Sequence, residues 1–336
     1  MAEIYNISDW SYKNWIGTGG TRDKVFIENP EDGKVYFFKE SIERYPSEFW
    51  AEIISSKIGQ HLGFNVLDYN IGIMGVTLGC ICESMINQTS EELEHGVNLL
   101  KESVPNFKLT DRPQIGFNEV EESFRNYKGF INNFIEILVF DAIIGNQDRH
   151  SENWAIIRSL DVKNKAFNTK KLVIKMYGIY KKYNLRLAKI PFKRFFLKYM
   201  NKAELVDIRF SPIYDSGSSL GRDILETKIH NYLENDSKVQ KYINNGRSEI
   251  RWTAEEKKIN HFEIIKKVKE RYPQKVTEII NKVLKKYKKE DIERIINQID
   301  NNIPKNIGET KLSLQRKKLI VKFIDFRIER LKEVLK

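Results

Sequence analysis

Residues 143–157, IIGNQDRHSENWAII, place Asp148, Arg149, His150, Glu152 and Asn153 in one polar cluster between two apolar walls. Ahead of it, Ile131, Phe134, Ile135, Leu138, Val139 and Ile143 recur at i, i+3, i+4, the period of a helix with a buried face. Behind it, Trp154 to Ile157 is a short, β-branched, strand-like run. A loop that only reversed the chain could use any mixture of Gly, Asn and Asp. Here the polar side chains are expected on a rigid turn between a core helix and a core strand, where they can be held in fixed positions.

The elements around that turn set the fold class. The first stretch, WIGTGGTRDKVFI, carries Gly17, Gly19 and Gly20, and NPEDG then turns the chain back into KVYFFKE, predicting a Gly-rich loop, strand, turn and strand that ends at Lys39. Pro46 and Ser47 are helix start signals. Trp50, Ile53, Ile54, Ile58 and Leu62 trace one apolar face, and Gly63 ends the helix. Strand-like pieces follow at Val66 to Ile73 and Thr77 to Glu83. From Thr89 to Ile144 the pattern is mostly helical, and from Glu255 onward it is helical almost throughout. The expectation is an α+β chain of two lobes around a cleft, strand-rich over 1–86 and mostly helical over 87–336.

That order suits phosphoryl transfer, which needs a carboxylate for the attacking hydroxyl, ligands for Mg²⁺, a cation on the nucleotide phosphates and a cover against water. Asp148 and Asn153 have the Asp-x-x-x-x-Asn spacing that puts a proton acceptor and a metal-coordinating amide at the two ends of one loop. Asp215, in SPIYDSGSSLG, follows a β-branched and aromatic run, so its carboxylate is expected at a strand end, where it could hold the metal. Lys39 supplies the phosphate cation and Glu52 an ion pair to hold it, with Glu48, one turn earlier, as the rival. The backbone N–H groups of GTGG can fold over phosphates. The cofactor-binding set is therefore Gly17, Gly19, Gly20, Lys39 and Glu52, with Glu83 at the end of its strand added to it.

The pattern GNxDRHxxNW with YDxGSSL downstream resembles the HipA-like serine/threonine kinases, the toxin kinases of bacterial toxin–antitoxin pairs, in their short stand-alone form. The resemblance covers most of the chain outside residues 159–207 and implies a bilobal protein-kinase-like fold that uses ATP and Mg²⁺. It implies Asp148 as catalytic base, Asn153 and Asp215 as Mg²⁺ ligands and Lys39 as phosphate anchor. His150 falls two after the base, where protein kinases more often carry a Lys that touches the transferred phosphate. It further implies a protein substrate and modification of a hydroxyl in the chain's own Gly-rich loop, here Thr18 or Thr21. Only 16 residues precede Gly17, where the longer toxins carry an extra N-terminal subdomain, so the resemblance leaves pairing with an antitoxin open.

Charge singles out the remaining segment. The net charge is +11, yet residues 158–209 alone carry +12 and the rest of the chain −1. In this basic insertion Tyr177, Tyr180, Tyr183, Phe192, Phe195, Phe196 and Tyr199 alternate with lysines, a pattern expected of an added subdomain or of a surface for an acidic partner or nucleic acid. A lipid or small-molecule phosphotransferase on the same scaffold, or a binding module using the insertion, are the alternatives to a protein kinase. Two cysteines, Cys80 and Cys82, cannot frame a disulfide-rich fold and read as buried packing. No apolar run approaches 18 residues, and no signal peptide opens the chain, so a transmembrane segment is not expected and a reducing cytoplasm is the default compartment.

Overall fold

The computed structural model describes residues 2–13, 24–41, 44–104, 107, 113–159, 207–304, 307 and 311–336. The Gly-rich loop, with Gly17, Thr18, Gly19, Gly20 and Thr21, and nearly all of the basic insertion lie outside the described residues. The chain divides into two compact units, one of residues 1–85, 96–154 and 212–336 and one of 86–95 and 155–211.

The first unit opens with a six-stranded sheet ordered β1-β5-β6-β4-β3-β2. Its strands are β1 (Ile4–Asn6), β2 (Ser11–Tyr12), β3 (Lys24–Glu28), β4 (Val35–Glu40), β5 (Asn70–Met74) and β6 (Thr77–Glu83). The expected hairpin is β3–β4, closed across the NPEDG turn with Val25 opposite Phe38 and Glu28 opposite Val35. The pair β1 and β5 is parallel, and the other pairs are antiparallel. Ile7, Ile27, Tyr36, Phe38 and Ile81 form the buried cluster of this sheet. Cys80 and Cys82 are buried in β6 as free thiols, and burial pushes both well above the ordinary thiol range.

Between β4 and β5 runs α1 (Glu48–Leu62). Its first amides are not satisfied by Ser47, whose side chain makes no capping bond. Ser41 Oγ instead accepts from Phe49 N at 2.9 Å. Gly63, at φ +86°, ends the helix in the left-handed conformation that glycine adopts without a Cβ penalty. Glu48 and Glu52 are each 1% exposed, so α1 buries two carboxylates along with its apolar residues.

The rest of this unit is helical: α2 (Gly96–Ser103), α3 (Phe117–Ser123), α4 (Phe130–Ile144), α5 (Ile229–Leu233), α6 (Asp236–Asn245), α7 (His261–Arg271), α8 (Pro273–Lys286), α9 (Lys289–Gln298) and α10 (Leu314–Leu335). Helix α4 is the apolar helix anticipated before the polar turn. It buries Phe134, Ile135, Leu138, Val139 and Ile143 and ends at Gly145. Trp154 closes the turn, wholly buried against Phe124 and Phe134.

The second unit is a three-stranded antiparallel sheet, β7 (Glu91–His95), β8 (Ala155–Ser159) and β9 (Ile208–Phe210). Strand β7 corrects the expectation of helix from Thr89 onward. Glu and Leu favour helix locally, but Glu91 and Glu94 form ion pairs across the sheet with Arg209 and Arg158, and strand pairing overrides local preference. Strands β8 and β9 pair directly, with Arg158 opposite Ile208, so the insertion joins the ends of two neighbouring strands. Among the described residues no helix is long and apolar enough to cross a membrane.

Candidate active site

Lys39, on β4, is the centre of a buried ionic cluster. Its Nζ lies 3.0 Å from Glu52 Oε1, 3.1 Å from Asp215 Oδ1 and 3.3 Å from Glu48 Oε1. Burial alone would push the lysine down, but the Asp215 and Glu52 carboxylates hold it well above its ordinary value, so the ammonium is kept. The rivalry between Glu48 and Glu52 resolves into a division of contacts. Glu52 Oε2 accepts from Ser216 N at 2.7 Å, tying α1 to the loop after Asp215. Glu48 Oε2 instead pairs with Arg222, whose guanidinium stacks over the Tyr45 ring at 4.3 Å. Burial pushes the Glu52 carboxyl up, opposed by Lys39 beside it.

The loop 215–220 is shaped by close approach. Asp215 and Leu220 stand at φ +54° and +55°, a left-handed conformation uncommon for residues with a Cβ. At Gly217 a Cβ would come within 2.9 Å of both Glu48 Cγ and Glu52 Oε1, so only glycine lets the loop pass over α1. Asp215 is the open member of the cluster: its side chain is 26% exposed, against 4% for Lys39 and 1% for Glu52.

The polar turn after α4 is built around Arg149, which is buried. Its Nε and Nη2 donate to the two oxygens of Asp141 at 3.0 and 2.8 Å, and its Nη1 donates to the backbone carbonyls of Asn153, at 2.9 Å, and of Tyr214. One guanidinium thus gathers the end of the turn and the residue before Asp215, bringing Asn153 and Asp215 together. Asn146 supports the start of the turn, donating to Asp141 Oδ1 at 3.1 Å and accepting from Asp148 N at 3.3 Å. Asn153 Nδ2 donates to Asp148 O at 2.8 Å, and Ser218 Oγ lies 3.4 Å from Asp148 Oδ2.

Lys39, Glu52, Asp148, Asn153 and Asp215 are therefore gathered at one site. His150 belongs to the turn itself, its Nδ1 accepting from Glu152 N at 3.3 Å. Glu83 sits at the end of β6 with its carboxylate 2.8 Å from Lys34 Nζ in an exposed pair. Gly17, Gly19 and Gly20 fall outside the described residues. Three members were missed in sequence: Asp141, Arg149 and Arg222. Asp141 did leave a signal, as a lone acid in the apolar run VFDAII, and Arg149 stands inside the quoted motif.

No family model and no curated protein matches the sequence. Among solved structures, the crystal structure of the Helicobacter pylori proinflammatory kinase CtkA matches over 99% of this chain and 97% of its own, with a TM-score of 0.70 at 16% identity. This chain shares the fold of that kinase. A chain from the Shewanella oneidensis MR-1 toxin–antitoxin complex of HipA, HipB and operator DNA gives a TM-score of 0.48 at 10% identity, over 95% of this chain and 65% of that one. The six-stranded sheet with α1 and the helical region from α2 onward correspond to the two lobes of a protein-kinase-like fold.

Proposed function

We propose that this HipA-like fold is an ATP- and Mg²⁺-dependent serine/threonine kinase that transfers the γ-phosphate to a protein hydroxyl. The observation that carries this reading is the buried Lys39, bound at once to Glu52 on α1 and to Asp215 on the loop whose Ser218 reaches Asp148. A phosphate anchor, a metal carboxylate and a base carboxylate thereby share one framework.

The donor set fits Mg²⁺. Asn153 and Asp215 offer the two oxygen donors such an ion takes from a protein when phosphates and water complete its shell, and the exposure of Asp215 leaves that carboxylate accessible. When bound, the ion would neutralise charge developing on the transferred group. Lys39 holds the nucleotide phosphates, Glu52 holds Lys39, and Asp148 orients the substrate hydroxyl and accepts its proton. The glycines at 17, 19 and 20, which lie outside the described residues, are the sequence's candidates for covering the phosphates with backbone amides.

Incubation with γ-labelled ATP, separately with a generic protein, with anionic vesicles and alone, tests the reading. Label in protein that disappears in Asp148→Ala is the expected result. Label in lipid instead would overturn the protein-kinase reading, and label in neither together with no turnover of ATP would overturn the enzyme.

A further inference from the structure

The turn that carries Asp148 is held from behind by two side chains from helices far downstream. His261, the first residue of α7, is 1% exposed, and its Nε2 lies 2.6 Å from the backbone carbonyl of Asn146. A carbonyl oxygen only accepts, so the ring proton sits on Nε2. Nδ1 is buried with no hydrogen-bond partner among the described residues. Burial, reinforced by the Arg327 charge, pushes the imidazole down to about 3, so the ring remains neutral at physiological pH and keeps that single donor.

Arg327, on α10, is 2% exposed and makes the second contact. Its Nη1 donates to Ala142 O at 3.0 Å, satisfying one of the carbonyls left open in the last turn of α4. The guanidinium lies against Gly145, the residue at φ +73° through which the helix passes into the turn, and fills the space a Cβ there would need. The two side chains are neighbours: a Cβ on Gly246 would stand 3.6 Å from Arg327 Nη2 and 3.7 Å from His261 Nδ1.

Their contacts converge on Asn146. His261 fixes its carbonyl and Arg327 the helix end before it, while the Asn146 side chain accepts from Asp148 N. His261 meets the turn at the Asn146 carbonyl and Arg327 meets it at Ala142 and Gly145, so their effect reaches the site through the backbone of the turn. We propose that His261 and Arg327 are positioning residues for Asp148, a clamp from the C-terminal helices that sets where the base carboxylate stands. This rests on the reading of Asp148 as the base. A histidine that only filled the core would affect stability, but not the turnover of each folded molecule.

The test compares His261→Leu, which lacks a donor, with His261→Gln, whose carboxamide can still donate to the Asn146 carbonyl. In His261→Leu, amide hydrogen exchange over residues 143–154 should rise about tenfold, the scale of one lost buried hydrogen bond, while the core of α10 is unchanged. In the same protein kcat should fall on the order of a hundredfold, as a misplacement near 1 Å would cause, with the KM for ATP within about twofold of wild type. His261→Gln should recover most of both losses. Native exchange over 143–154 in His261→Leu overturns the inference, as does a rise of equal size throughout the protein in both variants. Should His261→Leu fail to fold, His261→Asn, whose shorter amide falls short of Asn146, takes its place. If wild type transfers no phosphate but exchange rises selectively, the clamp stands and the kinase reading falls.

Discussion

The side-chain amide of Asn153 donates to the backbone carbonyl of Asp148 at 2.8 Å, so the two ends of the polar turn are tied to each other. The bond commits Nδ2 to the protein and fixes which way the amide faces, leaving Oδ1 free for the metal-ligand role proposed for Asn153. Asn153→Ala should therefore raise the Mg²⁺ concentration for half-maximal transfer by at least about tenfold. A Mg²⁺ titration at fixed ATP measures this, and an unchanged curve would remove Asn153 from the metal set. Asp215→Ala should shift the same curve.

Asp148→Ala should separate chemistry from binding. As the proposed base, the carboxylate would act on the hydroxyl and not on the nucleotide, so transfer should fall by about 10² to 10⁴ while ATP binding is nearly unchanged. Single-turnover kinetics alongside calorimetric ATP titration check both halves. Ordinary turnover at saturating ATP would assign the base elsewhere.

Glu52 and Glu48 should differ in kind. Glu52 joins Lys39 to Ser216 N, whereas Glu48 joins Lys39 to Arg222. Removing one partner of a buried ionic pair costs about 3–5 kcal/mol, and both Ala variants should unfold several degrees earlier. Glu52→Ala also frees the Ser216 amide beside Asp215, so it should lose more nucleotide affinity than Glu48→Ala at equal residual folding. Equal losses of affinity in the two variants would argue against the distinction.

The sequence made the Lys39, Asp148, Asn153 and Asp215 framework legible because phosphoryl transfer restricts residue type and order, and α4 because its apolar period is unbroken. What could not be read was tertiary. The pairing of β1 with β5 spans some 67 positions, and β7 uses residues that locally favour helix. Arg222 and His261 carry no local motif, since their roles come from partners 174 and 115 positions away. Gly217 could be read as part of a turn, but its collision with α1 exists only once the loop is folded over Glu48 and Glu52.

His261 should also make the protein acid-labile. Its ordinary value is 6.5 and its folded value is pushed down to about 3, so the unfolded chain binds a proton that the folded one refuses. The stabilisation is complete above pH 6.5 and declines as pH falls toward 3, by up to about 1.4 kcal/mol per pH unit. Between pH 6.5 and 5, wild type should lose about 2 kcal/mol relative to His261→Gln. Glu52, raised by burial, works in the opposite direction but is common to both proteins and cancels in the difference. Parallel stability curves for wild type and His261→Gln across that window would contradict the buried neutral ring.

The basic insertion offers a test of substrate recruitment. Strands β8 and β9 pair with Arg158 opposite Ile208, so replacing residues 162–206 with a short Gly/Asn hairpin asks only that neighbouring strand ends be joined. Every residue proposed for catalysis lies outside the replaced segment. The shortened protein should therefore keep ATP binding and any basal transfer to itself. A segment this rich in lysine is suited to phosphates or carboxylates on a partner, contacts that salt screens or replaces with counterions. Turnover of the physiological target should fall in the shortened protein, and the part lost should be the part that 0.3 M salt removes from the intact one, a concentration at which the screening length is about 6 Å. Equal turnover by the two proteins at low and high salt would rule out recruitment by this segment, and a shortened protein that no longer folds would mark it as a structural subdomain.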